Sequence, residues 1–286
     1  MITMKNWRAR MSEDMRLRDY RPKTQKSYAL AVELFLRWAQ CEPEVLTEDK
    51  VRAYVLYLRE QKRQAPSTIN IAVCGLRFFF TYTLPRDWAV FELLKVKHPS
   101  KLPVVLSVGE VRRVLGAVRH PVRRMALASI YALGLRLNEG LLLKVSQVDA
   151  ERLMVWVRYG KREKDRAIPL PRPLLARLRR YWKDERPPSR TKYLFVSPDT
   201  RKPFHETTVQ KTFAAARDEV KLEKHATIHT LRHSYATHLV ERGVSLRTIQ
   251  EILGHKSLRT TEVYLHVTHS GTERVQEVVD RLMADL

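Results

Sequence analysis

Cysteine is scarce in this chain: Cys41 and Cys74 are the two in 286 residues, and no CxxC pair occurs. So few thiols fit a protein of a reducing compartment, each cysteine serving as a small apolar core residue. No run of about 18 apolar residues exists, so no transmembrane helix is expected. The stretch from Met1 to Arg10 lacks the apolar core of a signal peptide, and a cytoplasmic location is expected. The P-loop pattern GxxxxGK[ST] is missing, and no cluster of carboxylates suits two-metal chemistry. No internal repeat and no low-complexity segment interrupts the chain. Acidic residues are also in short supply.

What is present in excess is positive charge. Lys and Arg number 53 against 31 Asp and Glu, a net charge of +22. The excess is not a tail. Residues 1–100 hold 18 basic and 11 acidic residues, and residues 101–286 hold 35 and 20. A basic surface on both halves points to a clamp around a polyanion. A generally basic, soluble surface is the plainer alternative. An anionic membrane is a weaker one, since no basic amphipathic anchor stands out.

The first part of the chain reads as all helix. Residues 24–40 place Tyr28, Ala31, Leu34, Phe35 and Trp38 on one face. Thr47 can cap a second helix, with Val51, Tyr54, Val55 and Leu58 inward. Ser67 can start a third through Phe80, and a short fourth is expected around Trp88–Leu94. Prolines and lysines without periodicity then mark a basic linker, giving a helical domain over 1–95, a linker over 96–105 and a second domain over 106–286. That domain opens on a capping box, Ser107 and Glu110. A helix through Met125–Leu133 ends at Gly134, and Arg136 and Glu139 start another. Leu153–Arg158 and Arg166–Pro169 bracket a charged tip as a β-hairpin. Helices are expected over about Leu174–Asp184, Thr208–Val220, 229–242 and 245–253, with a short strand at Tyr193–Val196. A short helix is expected to carry Tyr264. Residues 273–284 carry an apolar stripe through Val275, Val278, Val279, Leu282 and Met283. The fold class is mainly α with a small β element.

Chemistry concentrates late in the chain. His229, Arg232 and His233 share one face of a helix start. A helix N-terminus favours an anion, and an arginine adds a two-pronged fork. A polar helix face with a capped histidine is the alternative. His229 and His233 also have metal-pair spacing. The intervening residues lack the glutamate of a zinc-protease helix, and no third ligand stands at useful spacing, so no metal is expected. Gly254 ends a helix and presents His255; Arg136 follows Gly134 in the same way. Taken alone, Tyr264 reads as a packing residue, and Lys161 and Lys164 as solvated charges at the hairpin tip. Their ordered combination is the informative feature.

That combination resembles the tyrosine recombinase (phage integrase) family. Gly-Leu-Arg136-x-x-Glu139 is similar to its first arginine box. His229-x-x-Arg232-His233, followed by Ser-Tyr-Ala-Thr-His-Leu, is similar to its second. Leu-Gly-His255 and Tyr264 are similar to its last. Tyr159-Gly160-Lys161-x-x-Lys164-Asp165-Arg166 resembles its hairpin lysine motif, and the early helices resemble its SAM-like core-binding domain. The resemblance implies that Tyr264 attacks a scissile phosphate in double-stranded DNA, leaving a 3′-phosphotyrosyl link and a free 5′-hydroxyl. It implies Arg136 and Arg232 on the non-bridging oxygens and Lys161 as the acid for the leaving oxygen. His229 would assist proton transfer at Tyr264 and His255 would hydrogen-bond the phosphate. Glu139 and His233 would support the site. No cofactor is implied, because a covalent link conserves the phosphodiester's energy and religation needs no ATP.

Two departures qualify the likeness. Arg162 follows Gly160-Lys161 where the family commonly has a second glycine, so Lys164 competes with Lys161. The inserted helical segment of integron integrases has no counterpart, and no accessory domain is expected before residue 20. The implied partners are an inverted-repeat DNA site, a second copy per site and a tetramer at synapsis, with the 273–284 stripe packing either in its own core or on a neighbour. The biological role leans towards a mobile element. A type IB topoisomerase-like relaxing enzyme and a catalytically silent DNA-binding regulator are the rival readings. Both would bind DNA with steep salt dependence, so binding alone does not separate them.

Overall fold

The computed structural model describes residues 6–94, 102–158, 165–255 and 257–265. Lys161 and Lys164, the 273–284 stripe and most of the basic linker lie outside these described residues. The chain divides into two compact units, Met1–Ser100 and Lys101–Leu286. It is mainly helical with one small antiparallel sheet, as the sequence pattern implies.

The first unit begins with a helix that sequence patterning passed over, α1 (Trp7–Leu17). Its apolar residues are few, but Trp7, Met11 and Met15 recur every fourth position and all are buried. Trp7 meets Phe79 edge to face with ring centroids 5.7 Å apart. Then come α2 (Pro22–Ala39), α3 (Glu48–Leu56), α4 (Pro66–Phe78) and the single turn α5 (Val90–Leu93). Thr47 caps α3 as expected, its hydroxyl accepting from the Lys50 amide. Helix α4 starts at Pro66, one residue before the expected Ser67, because proline has no N–H to leave unpaired in a first turn. Both α3 and α4 run on into a widened π turn. Gly75 lets α4 press on α2: a Cβ there would lie 3.1 Å from the Tyr28 carbonyl oxygen.

In the second unit, α6 (Val108–Ala117) begins with the foreseen capping box. The Ser107 hydroxyl accepts from the Glu110 amide at 3.2 Å, and the Glu110 carboxylate accepts from the Ser107 amide at 2.7 Å. Helix α7 (Pro121–Ala132) is the centre of the core, with every residue from Met125 to Ile130 buried. A helix apolar on all sides belongs inside. The short α8 (Leu137–Leu141) lies against it through Gly140, where a Cβ would fall 2.4 Å from Ile130 Cγ1. Three strands follow: β1 (Val148–Asp149), β2 (Met154–Val157) and β3 (Arg166–Pro169). They pair antiparallel in that order, with Val155 opposite Ile168 and Val157 opposite Arg166. Among the described residues the remaining helices are α9 (Arg172–Arg180), α10 (Glu206–Glu219), α11 (Ile228–Glu241), α12 (Leu246–Leu253) and the single turn α13 (Arg259–Glu262). The Leu106 amide donates to Ser234 Oγ at 2.9 Å, fastening the start of this unit to α11.

Two expectations need correction. Tyr193–Val196 is not a strand: a lone bridge joins Tyr193 to Lys144. The facing segment turns away at Val145–Gln147 after one rung, so Leu194, Phe195 and Val196 plug the core as an extended loop. Tyr264 is not carried within a helix. It sits two residues past α13, its amide donating to the Thr261 carbonyl at 3.1 Å.

Gly134 is where α7 hands over to the site. Its φ is +59°, and a Cβ would lie 2.5 Å from the Tyr235 ring. Gly134→Ala is therefore expected to cost about 2–4 kcal/mol, from left-handed strain plus overpacking. Chemical denaturation of the two proteins checks this, and an unchanged midpoint would refute it.

Candidate active site

Arg232 decides the shape of the site. It projects from the second turn of α11 and is 1% exposed, an unusual place for a guanidinium. It is tolerated because carbonyls at two chain reversals turn towards it. One Nη donates to the Gly134 carbonyl at 2.8 Å and the other to the Leu253 carbonyl at 2.7 Å. Burial, then the positive charge of Arg136, lower its pKa to about 10, so it remains a cation at neutral pH.

Arg136 stands just before α8 with its side chain 38% exposed. It donates to Glu139 at 2.7 Å and to the Gly254 carbonyl at 3.2 Å. Glu139 also accepts from the Arg136 amide at 2.9 Å. The third cation is Arg166, on β3. Its Nη2 donates to Glu139 at 2.7 Å and its Nε to the Ile252 carbonyl at 2.6 Å. Arg232 reaches the same carboxylate at 3.9 Å. Burial by itself would raise the Glu139 carboxyl. The Arg166 charge and the hydrogen bonds from both arginines outweigh it and hold the group below the usual carboxylate range. Three guanidiniums around one carboxylate leave the pocket net positive, with Arg136 the most exposed of them. Gly254 has φ +66°, and the missing Cβ leaves room for the Arg166 side chain, whose Cδ would lie 3.1 Å away.

Three histidines and a tyrosine complete the set. The His229 and His233 rings meet edge to face, centroids 4.5 Å apart. His233 Nδ1 stands 3.0 Å from the Tyr264 hydroxyl. His255 stacks on the Tyr264 ring at 6.3 Å and hydrogen-bonds Thr261 Oγ1 through Nδ1 at 2.9 Å. Burial and the nearby His229 and Arg232 push His233 down to about 4. Burial, Arg232 and Arg136 do the same to His255, also to about 4. His229 is lowered by burial, then Arg232 and Arg136. At neutral pH His233 and His255 are therefore uncharged. Tyr264 is 1% exposed, and burial raises its pKa against the opposing pull of Arg232. The phenol keeps its proton until something takes it.

The structure thus brings together Arg136, Glu139, His229, Arg232, His233, His255 and Tyr264 from four separated stretches of chain. Sequence reading did not single out Arg166 as a partner of Glu139. The signal was there: Arg166 shares strand parity with the buried Ile168, so it points inward. It likewise did not place His233 on the Tyr264 hydroxyl, because helical spacing does not show which of two histidines on one face meets a residue from another element.

A net-positive pocket enclosing a tyrosine hydroxyl and neutral imidazoles defines a class: sites that meet an anionic ester with a tyrosine. Comparison with known proteins then narrows it. Residues 105–270 match the model described as the phage integrase family, and residues 7–90 match its N-terminal SAM-like domain. A relative from Sinorhizobium fredii (strain NBRC 101917 / NGR234) that carries a provisional integrase/recombinase name is 42% identical, covering 93% of this chain and 86% of its own. Tyrosine recombinase XerA of Thermococcus kodakarensis is 34% identical over 92% of this chain and 93% of its own. Among solved structures, a lambda integrase fragment bound as a dimer to a core site has the same fold, with a TM-score of 0.72 at 20% identity over 92% of this chain and 95% of that one. The chain belongs to the phage integrase family, the tyrosine recombinases. No helix among the described residues is long and apolar enough to cross a membrane.

Proposed function

We propose that the chain is a site-specific DNA recombinase that cuts and rejoins strands through Tyr264. One observation carries the assignment of the nucleophile. The Tyr264 hydroxyl is hydrogen-bonded to an imidazole inside a pocket whose arginines outnumber its carboxylate. In this reading Arg136 and Arg232 bind the non-bridging oxygens of the scissile phosphate as charge builds there. The Tyr264 oxygen forms a bond to phosphorus, and the P–O5′ bond breaks. The departing 5′ oxygen takes a proton from Lys161, with Lys164 the competing donor. His255 hydrogen-bonds the phosphate, and Glu139 holds Arg136 in place. His229, on α11, assists proton transfer at Tyr264, and His233 supports the site. The 3′-phosphotyrosyl link keeps the ester's energy for religation, so no ATP enters.

The region 1–95 serves as the core-binding domain, 96–105 as the basic connection and 106–286 as the catalytic domain. One lambda integrase structure is a dimer on a core site and another is a tetramer on a Holliday junction. By analogy, two protomers occupy each inverted-repeat site in the cytoplasm and four meet at synapsis, with the 273–284 stripe packing on a neighbour.

The test uses a nicked suicide duplex carrying the inverted-repeat sequence that the full chain selects from random DNA. Wild type should accumulate a covalent complex, while Tyr264→Phe should bind the duplex and trap none. Covalent trapping by Tyr264→Phe would sink the assignment. Recombination between two such sites on one plasmid, rather than relaxation alone, separates a recombinase from a topoisomerase.

A further inference from the structure

The imidazole on the Tyr264 hydroxyl belongs to His233, one residue past Arg232, and not to His229. His233 Nδ1 lies 3.0 Å from the phenol oxygen, and among the described residues His229 makes no hydrogen bond to it. His229 instead backs the His233 ring edge to face, centroids 4.5 Å apart. Three features of this arrangement suit a proton acceptor. First, the distance is that of a formed hydrogen bond to the atom that must lose a proton. Second, the Tyr264 hydroxyl is buried, so bulk water is poorly placed to take the proton. Third, burial, then the ring of His229 and the cation Arg232, keep His233 uncharged, which leaves an imidazole nitrogen able to accept.

Resting on the recombinase reading, we propose that His233 Nδ1 receives the Tyr264 proton during strand cleavage and returns it on religation, with His229 positioning the His233 ring. The step balances. As the Tyr264 oxygen bonds to phosphorus its proton passes to Nδ1. The P–O5′ electron pair leaves with the 5′ oxygen, which is protonated by a separate donor. The negative phosphate arriving beside Arg136 and Arg232 offsets the positive field that disfavours a charged His233, so the imidazolium becomes affordable only when substrate is bound. The groups facing His233 in this account are His229 and Arg232 from α11, His255 beyond α12, and Tyr264.

The experiment measures single-turnover covalent complex formation on the selected suicide duplex. It compares wild type with His233→Phe, which keeps ring bulk, and His233→Gln, which keeps a polar group but accepts no proton. Both variants should slow cleavage about 10²–10⁴-fold, the usual worth of a positioned acid or base. Their deficit should shrink as pH rises towards the phenol range, while wild type stays flat over the same interval. A 5′-bridging phosphorothiolate, whose thiolate leaves without a proton, should rescue Lys161→Ala and fail to rescue the His233 variants. Retained cleavage in His233→Gln, faster cleavage in either variant, a deficit that does not change with pH, or rescue by the phosphorothiolate would each overturn the proposal. If wild type itself traps nothing, the recombinase reading falls, and this proposal with it. If wild type traps and the His233 variants match it, only the proposal falls.

Discussion

Arg232→Met is expected to lower the rate of covalent complex formation by about 10²–10³-fold, the usual loss when one donor to a developing anion is removed. Methionine keeps a long, unbranched stem in a space where Arg232 is 1% exposed. The carbonyls of Gly134 and Leu253 then lose their partners, at about 1–3 kcal/mol each. A partial offset comes from relieving repulsion with Arg136 and Arg166, both of which press on Arg232. The fold should therefore survive with a lowered melting temperature while cleavage nearly disappears. Binding to the selected duplex should change far less than cleavage, since contacts over the basic surface dominate affinity. Thermal unfolding, filter binding and suicide-duplex trapping on the same preparations separate the three effects. Near wild-type cleavage by a folded Arg232→Met protein would remove Arg232 from the phosphate clamp.

The same buried arginine shows why part of the site was legible and part was not. Arg136, His229, Arg232 and His255 lie in short strings with a glycine or a helix start beside them, Tyr264 follows nine residues after His255, and such an order reads directly from the chain. Gly134 and Gly254 both adopt positive φ at helix ends, which is what a glycine closing a helix leads one to expect. The elements followed from periodicity where one face is strongly apolar, as in α2 or α6. Helix α1 escaped because its three inward-facing apolar residues stand among charges and give a weak stripe, though each of the three is buried in the core. The Tyr193–Val196 segment misled because buried β-formers in a row look the same whether they pair or merely plug. His233 and Arg166 are harder cases. Their roles depend on contacts 31 and 27 residues away along the chain, with Tyr264 and Glu139 respectively. Strand parity could have turned Arg166 inward. No local pattern could have shown which histidine meets the Tyr264 hydroxyl.

Glu139→Gln is expected to do more damage to the fold than any exposed charge change. The side chain is nearly isosteric, so packing is kept and the loss is electrostatic. Arg166 has its side chain 6% exposed and would lose its counter-ion, and Arg136 its closest one. Removing one partner of a buried ion pair costs about 3–5 kcal/mol, which for a unit of this size lowers the melting temperature by roughly 6–20 °C. The pH dependence follows from the direction of the Glu139 shift. Its folded pKa lies below the ordinary carboxylate value because Arg166 and the hydrogen bonds overcome burial. Its stabilisation is thus complete above the unfolded carboxylate pKa and fades as pH falls through the folded one. Wild type should lose stability in that acidic window, and Glu139→Gln should show a flatter profile there. An added anion distinguishes this account from simple misfolding. Sulfate, or the selected duplex itself, can supply the missing negative charge to the three arginines. Either should restore more melting temperature to Glu139→Gln than it adds to wild type. Equal gains in both proteins would mean that Glu139 is not the counter-charge that holds the three arginines together.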